Sequence, residues 1–256
     1  MKSERLNIKT GPVFLEYIKW GEKKPEFLFI HGFGGSAKTF SRVIEPLVNV
    51  GRASISISLP YHGGSEDSKG VFDLALYSNS IMQVLKTHFD VDSVHIVAHS
   101  LGARLALWMA VNMSQTVKSV HIMNPAGFYP WEIRFFSSFK KGFGAWLLSF
   151  DNIARIVTSF LVANASKRMS DAFRFYSKSY DLMCLHRTKV FMQLFKIRVP
   201  VHIYWGDKDR LLPLSFAKEV QQHFFHAELH VLPNCGHLPM IDQPLRLVEL
   251  LQAQTN

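Results

Sequence analysis

Cysteine is nearly absent: Cys184 and Cys235 are the only two in 256 residues, and neither belongs to a CxxC pair. So few thiols exclude a disulfide framework, a zinc ribbon and a dithiol redox centre, and leave two reduced thiols as the simplest reading. Also missing is any uncharged apolar run approaching the ~18 residues that a membrane-crossing helix needs, so no transmembrane segment is expected. The opening residues, MKSERLNIKTGPVFLEYIKWGEKK, contain no apolar stretch followed by small residues. A secretory leader is therefore not expected, and a soluble, cytoplasmic protein is. No internal repeat stands out. Acidic residues are scarce, 20 against 29 Lys and Arg, for a net charge of +9.

What is present is enough apolar material, 48% of the chain, to bury a sizeable core as one domain. Strand-like and helix-like segments alternate. VFLEYIKW and EFLFIH read as strands, AKTFSRVIEPLVNV as a helix, RASISISLP as a strand and DLALYSNSIMQVLKTHF as a helix. DSVHIVAHS, KSVHIMNPAG, VPVHIYWGDKD and AELHVLPN continue the strands; LGARLALWMAVNM, LSFAKEVQQHF and QPLRLVELLQAQ supply the helices. Strands separated by helices call for an α/β fold, a mostly parallel sheet covered on both faces. Ligands of such sheets gather beyond the carboxyl ends of the strands.

Residues 127–187 break this rhythm. They are helical in character and carry 14 aromatics between Phe128 and Tyr180. From Gly127 to Val190, ten basic residues stand against four acidic ones, most of the chain's positive excess. Asp151 and Arg155 interrupt its most apolar part, which argues against a span. The segment reads as a helical lid inserted into a core of residues 1–126 and 188–256. Its basic excess would suit an anionic ligand or an acidic carrier protein, although solvated helix faces also explain it. An interfacial membrane helix is the other reading of its basic and aromatic content. No nucleic-acid partner is called for.

The stretch HIVAHSLGARLALWMA, residues 95–110, passes from strand to helix through His99, Ser100, Leu101 and Gly102. Small residues flank the serine at Ala98 and Gly102, which lets the chain turn tightly and present the hydroxyl at a helix N-terminus. A serine ahead of a helix also serves as a plain N-cap. As a nucleophile it needs a base to take its proton and oriented N–H groups to hold the resulting oxyanion.

AHSLG resembles the nucleophile turn of the α/β-hydrolase superfamily, G-x-S-x-G, with Ala98 in place of the first glycine. Three further segments resemble the superfamily's pattern in its chain order. HGFGGS, after the strand FLFI, looks like its oxyanion loop, which implies the N–H groups of Phe33 and Leu101 as the two donors. Gly32 and Gly34 then let the backbone bend, and His31 is a loop-orienting residue. GDKDRLLP matches G-x-x-D-x-x-x-P through Gly206, Asp209 and Pro213. This makes Asp209 the carboxylate that orients the base, with neighbouring Asp207 as the competing acid and a solvated turn as its simpler role. NCGHLPMIDQP places His237 at the family's late loop histidine, the implied general base. LPYHGGS looks like D-x-P-G-H-G-x-S, except that Ser58 and Tyr61 replace Asp and Gly; His62 is read as structural.

The resemblance implies an α/β-hydrolase fold with a serine nucleophile, hence acyl transfer to water from a carboxylic ester, without metal or organic cofactor. The aromatic lid implies an apolar acyl or alcohol group. A carbon–carbon bond hydrolase of ring-fission products and a non-catalytic ligand-binding relative stay open. His95, His121 and His202 recur in Val-His-Ile tripeptides on three strands. With no His-x-x-x-His spacing and no acid partner, they are expected to be stacked, hydrogen-bonded sheet residues and not a metal centre.

Overall fold

A computed structural model describes residues 3–67, 73–128 and 191–255. The expected lid, 127–187, lies outside the described residues apart from its first two positions. Nine strands form one sheet: β1 (Ser3–Thr10), β2 (Val13–Trp20), β3 (Phe27–Ile30), β4 (Ser54–Ile57), β5 (Glu66–Asp67), β6 (Val94–His99), β7 (Val117–Met123), β8 (Val201–Gly206) and β9 (Ala227–Leu232). Their order is β1-β2-β4-β3-β6-β7-β8-β9, with β5 beside β2. Every pairing from β4 to β9 is parallel; those of β1, β2 and β5 are antiparallel.

The central parallel strands, β3, β4, β6, β7 and β8, are almost wholly buried because helices cover both faces. On one side Leu28, Ile30, Ile96 and Ile122 pack under α2 (Leu74–Phe89) and α3 (Gly102–Asn112). On the other, Phe27, Phe29, Val97 and Met123 pack under α1 (Ser41–Asn49) and the closing helices. Asp73, the N-cap of α2, accepts from the Leu76 N–H at 3.0 Å, the side-chain cap that the sequence DLAL supplies. Structure and pattern part at several places. The helix expected over 214–224 is a 3-10 turn, Leu214–Phe216, followed by α4 (Ala217–Gln222). Before α6 (Pro244–Thr255) stands α5 (Pro239–Asp242), one turn started by a proline. Strand β1, unassigned in the sequence, pairs along its whole length with β2. No helix among the described residues is long and apolar enough to cross a membrane.

The Val-His-Ile histidines do lie side by side on the α1 face. His95 Nδ1 is 2.7 Å from Ser119 Oγ, which is 2.8 Å from His121 Nε2. His121 stacks on His202 at 4.8 Å and meets the Tyr204 hydroxyl at 2.9 Å. Burial, followed by repulsion from the neighbouring imidazoles, holds His121 well below the ordinary imidazole range. Burial, then Lys118 and Arg52, holds His95 at about 4. One expectation is corrected: an acid does accompany them. Glu228 of β9 pairs with His202 across the strands and approaches its Nδ1 to 3.4 Å, a partner contributed by a segment distant in sequence.

Candidate active site

Strand β6 ends at His99, and the next residue must reverse direction before α3 begins. Ser100 does so with φ of +47°, a left-handed backbone that costs a residue bearing a Cβ on the order of 1 kcal/mol or more. Its N–H donates to Met123 O at 2.9 Å, and its carbonyl accepts from the Ala103 and Ala126 N–H groups, so three hydrogen bonds hold the strained turn. Ala98 fits the position of the superfamily's first glycine because it is buried inside the parallel ladder opposite Ile30. Gly102 allows no such substitution: a Cβ there would lie 2.5 Å from the carbonyl oxygen of His31. A Cβ on Gly32 would lie 2.6 Å from His99 Nδ1 and 3.0 Å from Ser100 Cβ. These two glycines let the HGFG loop close over the serine turn.

Leu101, next to the serine, caps α3, whose first N–H groups have no carbonyl partners within the helix. Phe33 is half-buried in the HGFG loop, its ring edge-on to His62 at 5.5 Å. His31 Nε2 accepts from the Leu59 N–H at 2.8 Å, so the proton rests on Nδ1, which donates to Gly32 O at 2.6 Å. Burial, reinforced by His62, holds it well below the ordinary range. With both ring nitrogens committed to loop backbone, His31 orients the loop. His62 accepts from the Gly34 N–H at 3.0 Å and lies 2.9 Å from Pro60 O, likewise a loop brace.

The loops after β8 and β9 bring Asp209 and His237 to the same end of the sheet. His237 Nδ1 is 2.7 Å from Asp209 Oδ2, and its Nε2 is 3.3 Å from Ser100 Oγ. Asp209 is buried, with Oδ1 accepting from the Leu211 and Leu212 N–H groups at 2.8 Å each. Burial alone would raise its pKa, but the His237 hydrogen bond and charge and the two backbone donors outweigh it, and the net shift is downward. Asp207 instead accepts from the Cys235 N–H at 3.3 Å, bracing the histidine loop. Cys235 is a buried free thiol pushed up to about 12 by burial and nearby carboxylates, Asp242 first among them. Cys184 lies outside the described residues.

Three residues without a role in the sequence reading complete the arrangement. Asn124, after β7 at φ of +42°, donates through Nδ2 to Asp209 Oδ2 at 2.5 Å. His99 Nε2 donates to the backbone carbonyl of His237 at 2.7 Å, with the two rings 4.8 Å apart. Burial, then the neighbouring His237, holds His99 at about 3, so it stays neutral. Glu16 of β2 answers the departure at Ser58. Its Oε2 accepts from Ser58 Oγ at 2.6 Å and from the Gly64 N–H at 2.8 Å, and its Oε1 pairs with Arg5. A carboxylate thus sits beneath this loop although the motif's aspartate is missing. Tyr61, in place of the motif's glycine, takes φ of +60°. The sequence signal for Glu16 was limited to an acid at an inward position of a strand.

A sequence profile described as the alpha/beta hydrolase family matches residues 27–250. A 2-hydroxy-6-oxononadienedioate/2-hydroxy-6-oxononatrienedioate hydrolase of Paraburkholderia xenovorans is 25% identical over 261 residues, 92% of this chain and 88% of that protein. Monoacylglycerol lipase ABHD6 of Bos taurus is 23% identical over 264 residues, 89% of this chain and 74% of the lipase. Among solved structures, a putative lipase from Acinetobacter baumannii superposes with a TM-score of 0.79 at 21% identity, covering 99% of this chain and 93% of its own. The 2-hydroxy-6-oxo-6-phenylhexa-2,4-dienoate hydrolase of a Rhodococcus species gives 0.77 at 20% identity, with 99% of each chain covered. The profile runs from β3 into α6 and so takes in the serine turn and both partner loops, and on that extent the chain belongs to the alpha/beta hydrolase family.

Proposed function

We propose that the protein is a serine hydrolase that cleaves a carboxylic ester through an acyl-enzyme. The observation that carries this reading is His237, which reaches Ser100 Oγ with one ring nitrogen and Asp209 with the other, at 3.3 and 2.7 Å. The longer contact is of the kind that tightens when substrate binds. In the reaction Ser100 Oγ attacks the carbonyl carbon while its proton passes to His237 Nε2. The N–H groups of Phe33 and Leu101 hold the oxyanion, and Asp209 stabilises the imidazolium. His237 then protonates the departing alcohol, and water repeats the sequence to release the acid. None of these steps calls for a metal or organic cofactor. In this reading residues 127–187 form a cap over the core of 1–126 and 188–256. The cap's aromatics suit an apolar acyl or alcohol group, and its basic excess suits an anionic handle such as a carboxylate or an acidic carrier protein.

Cleavage of a carbon–carbon bond in a ring-fission dienoate is the second reading, favoured by the dienedioate hydrolase activity for which the Paraburkholderia relative, at 25% identity, is named. A panel of p-nitrophenyl esters of varied chain length and charge, run beside such a dienoate, separates the two. For ester hydrolysis, Ser100→Ala is expected to lower kcat by at least about 1,000-fold, and Asp209→Asn by roughly 10,000-fold with little change in KM. Full activity in Ser100→Ala would mean another nucleophile. Failure of a fluorophosphonate probe to label folded wild-type protein would favour a binding protein.

A further inference from the structure

The polar row across the α1 face ends at the sheet edge in three side chains whose donor atoms converge. They are His202 Nδ1 on β8, and Glu228 Oε2 and His230 Nε2 on β9. The register accounts for this: His202 lies opposite Glu228, Tyr204 opposite His230, and residues 228 and 230 share one strand face. The separations are 3.3 Å between the two imidazole nitrogens, 3.4 Å from His202 to Glu228 and 3.6 Å from His230 to Glu228.

Those distances match a specific coordination geometry. A tetrahedral zinc-class ion bound at about 2.0–2.1 Å by imidazole and carboxylate holds its donor atoms about 3.3–3.4 Å apart, the edge of the tetrahedron. The three atoms therefore already outline one face of such a tetrahedron. Both rings are held in orientation, His202 by stacking on His121 at 12° between planes and His230 by stacking on Tyr204 at 17°. Glu228 is 63% exposed and His230 half-buried, which opens the fourth position to solvent. Two nitrogens and one oxygen suit zinc and its transition-metal neighbours, whereas calcium and magnesium call for oxygen alone. Arg246 of α6, the cation that acts on His230, is engaged by Glu249 at 2.8 Å.

We propose that His202, Glu228 and His230 bind one divalent ion of the zinc class, with water as the fourth ligand, and that the ion clamps edge strand β9 to β8. The site sits within the strands, away from the loops at their carboxyl ends that carry Ser100, Asp209 and His237, and it does not depend on the proposed reaction. The same three side chains without an ion would form only a hydrogen-bonded triad.

Untagged full-length protein, first stripped with a chelator, separates the two by titration calorimetry with zinc chloride and by thermal melts with and without zinc. One equivalent is expected to bind wild type and Ser100→Ala alike and to raise Tm, because an ion held only by the folded state stabilises it. Glu228→Gln and His230→Gln are each expected to weaken binding by at least about tenfold, the lower bound for losing even an outer partner of a metal site. Each should also show a smaller zinc-dependent Tm shift at the same zinc concentration while keeping the metal-free Tm. Should His230→Gln fail to fold, the exposed Glu228→Gln still decides. Cobalt in place of zinc should give the intense visible absorption of four-coordinate geometry in wild type. Absence of saturable zinc binding, or an affinity unchanged in Glu228→Gln, would overturn the proposal.

Discussion

His237 is held twice, by Asp209 at its Nδ1 and by His99 at its backbone carbonyl. The first contact sets the ring's tautomer; the second fixes the height of the loop above Ser100. In the proposed reaction, loss of the second should leave Ser100, Asp209 and His237 in place chemically and only misplace the proposed base. His99→Ala is accordingly expected to reduce kcat roughly tenfold to a hundredfold, the scale of an ångström's misplacement, with KM little changed. His99→Gln, whose amide can donate to the same carbonyl, should recover a large part of that loss. Equal losses in both variants, or a rise in KM alone, would show that His99 serves only to fill space. Ser100, Asp209 and His237 were legible in the sequence because each lies in a short loop whose glycines and order follow a pattern. His99, Asn124 and Glu16 were not, because each acts through a partner more than 40 residues away, a pairing that only the folded sheet creates.

At the scale of elements, the buried carboxylate of Glu16 joins β2 to the 58–65 loop, and Arg5 reaches it from the edge strand β1. These contacts are unequal. Arg5 is 57% exposed, so its ion pair is screened by water and contributes about 0–1 kcal/mol. The bonds from Ser58 and Gly64 end on a buried charge and contribute roughly 1.5–3 kcal/mol each. Glu16→Gln is therefore expected to lower the unfolding free energy in urea by about 2 kcal/mol or more, and Arg5→Gln by less than about 1 kcal/mol. Equal costs would mean that β1, not the loop, is what Glu16 supports. Strand β1 also shows where pattern reading stops. Of SERLNIKT only Leu6 and Ile8 alternate inward, too few to mark a strand before its partner β2 is known. The central parallel strands were legible because their near-complete burial favours β-branched and aromatic residues, with serine and histidine as the main polar interruptions. The short α5 was not, because one turn after Pro239 is too brief to show a period.

At the scale of the whole molecule, the fold buries several imidazoles in neutral form, and this makes stability depend on pH. His31, His99 and His121 are all held well below the unfolded value of about 6.5, His99 at about 3, with burial as the first cause in each. The folded protein therefore cannot take up these protons when the unfolded chain does. Stability rises with pH wherever the unfolded state binds more protons, so this contribution is fully present above pH 6.5 and is lost progressively as pH falls toward the folded values. Each fully neutral imidazole costs about 1 kcal/mol between pH 6.5 and 5.5, and a chain of this size loses about 2–4 °C per kcal/mol. Asp209 and Glu16, with pKa values shifted down, act in the same direction but only below their unfolded values near 4. Acid destabilisation should thus begin with histidines, more than a unit above the range where carboxylates protonate. Calorimetry is expected to show Tm falling by several degrees between pH 6.5 and 5.5, with a shallower slope in His99→Gln, which lacks one of the buried imidazoles. A Tm that stays level down to pH 4.5 would mean that the folded protein accepts those protons after all, and that the interior around the serine turn is wetter than its packing indicates.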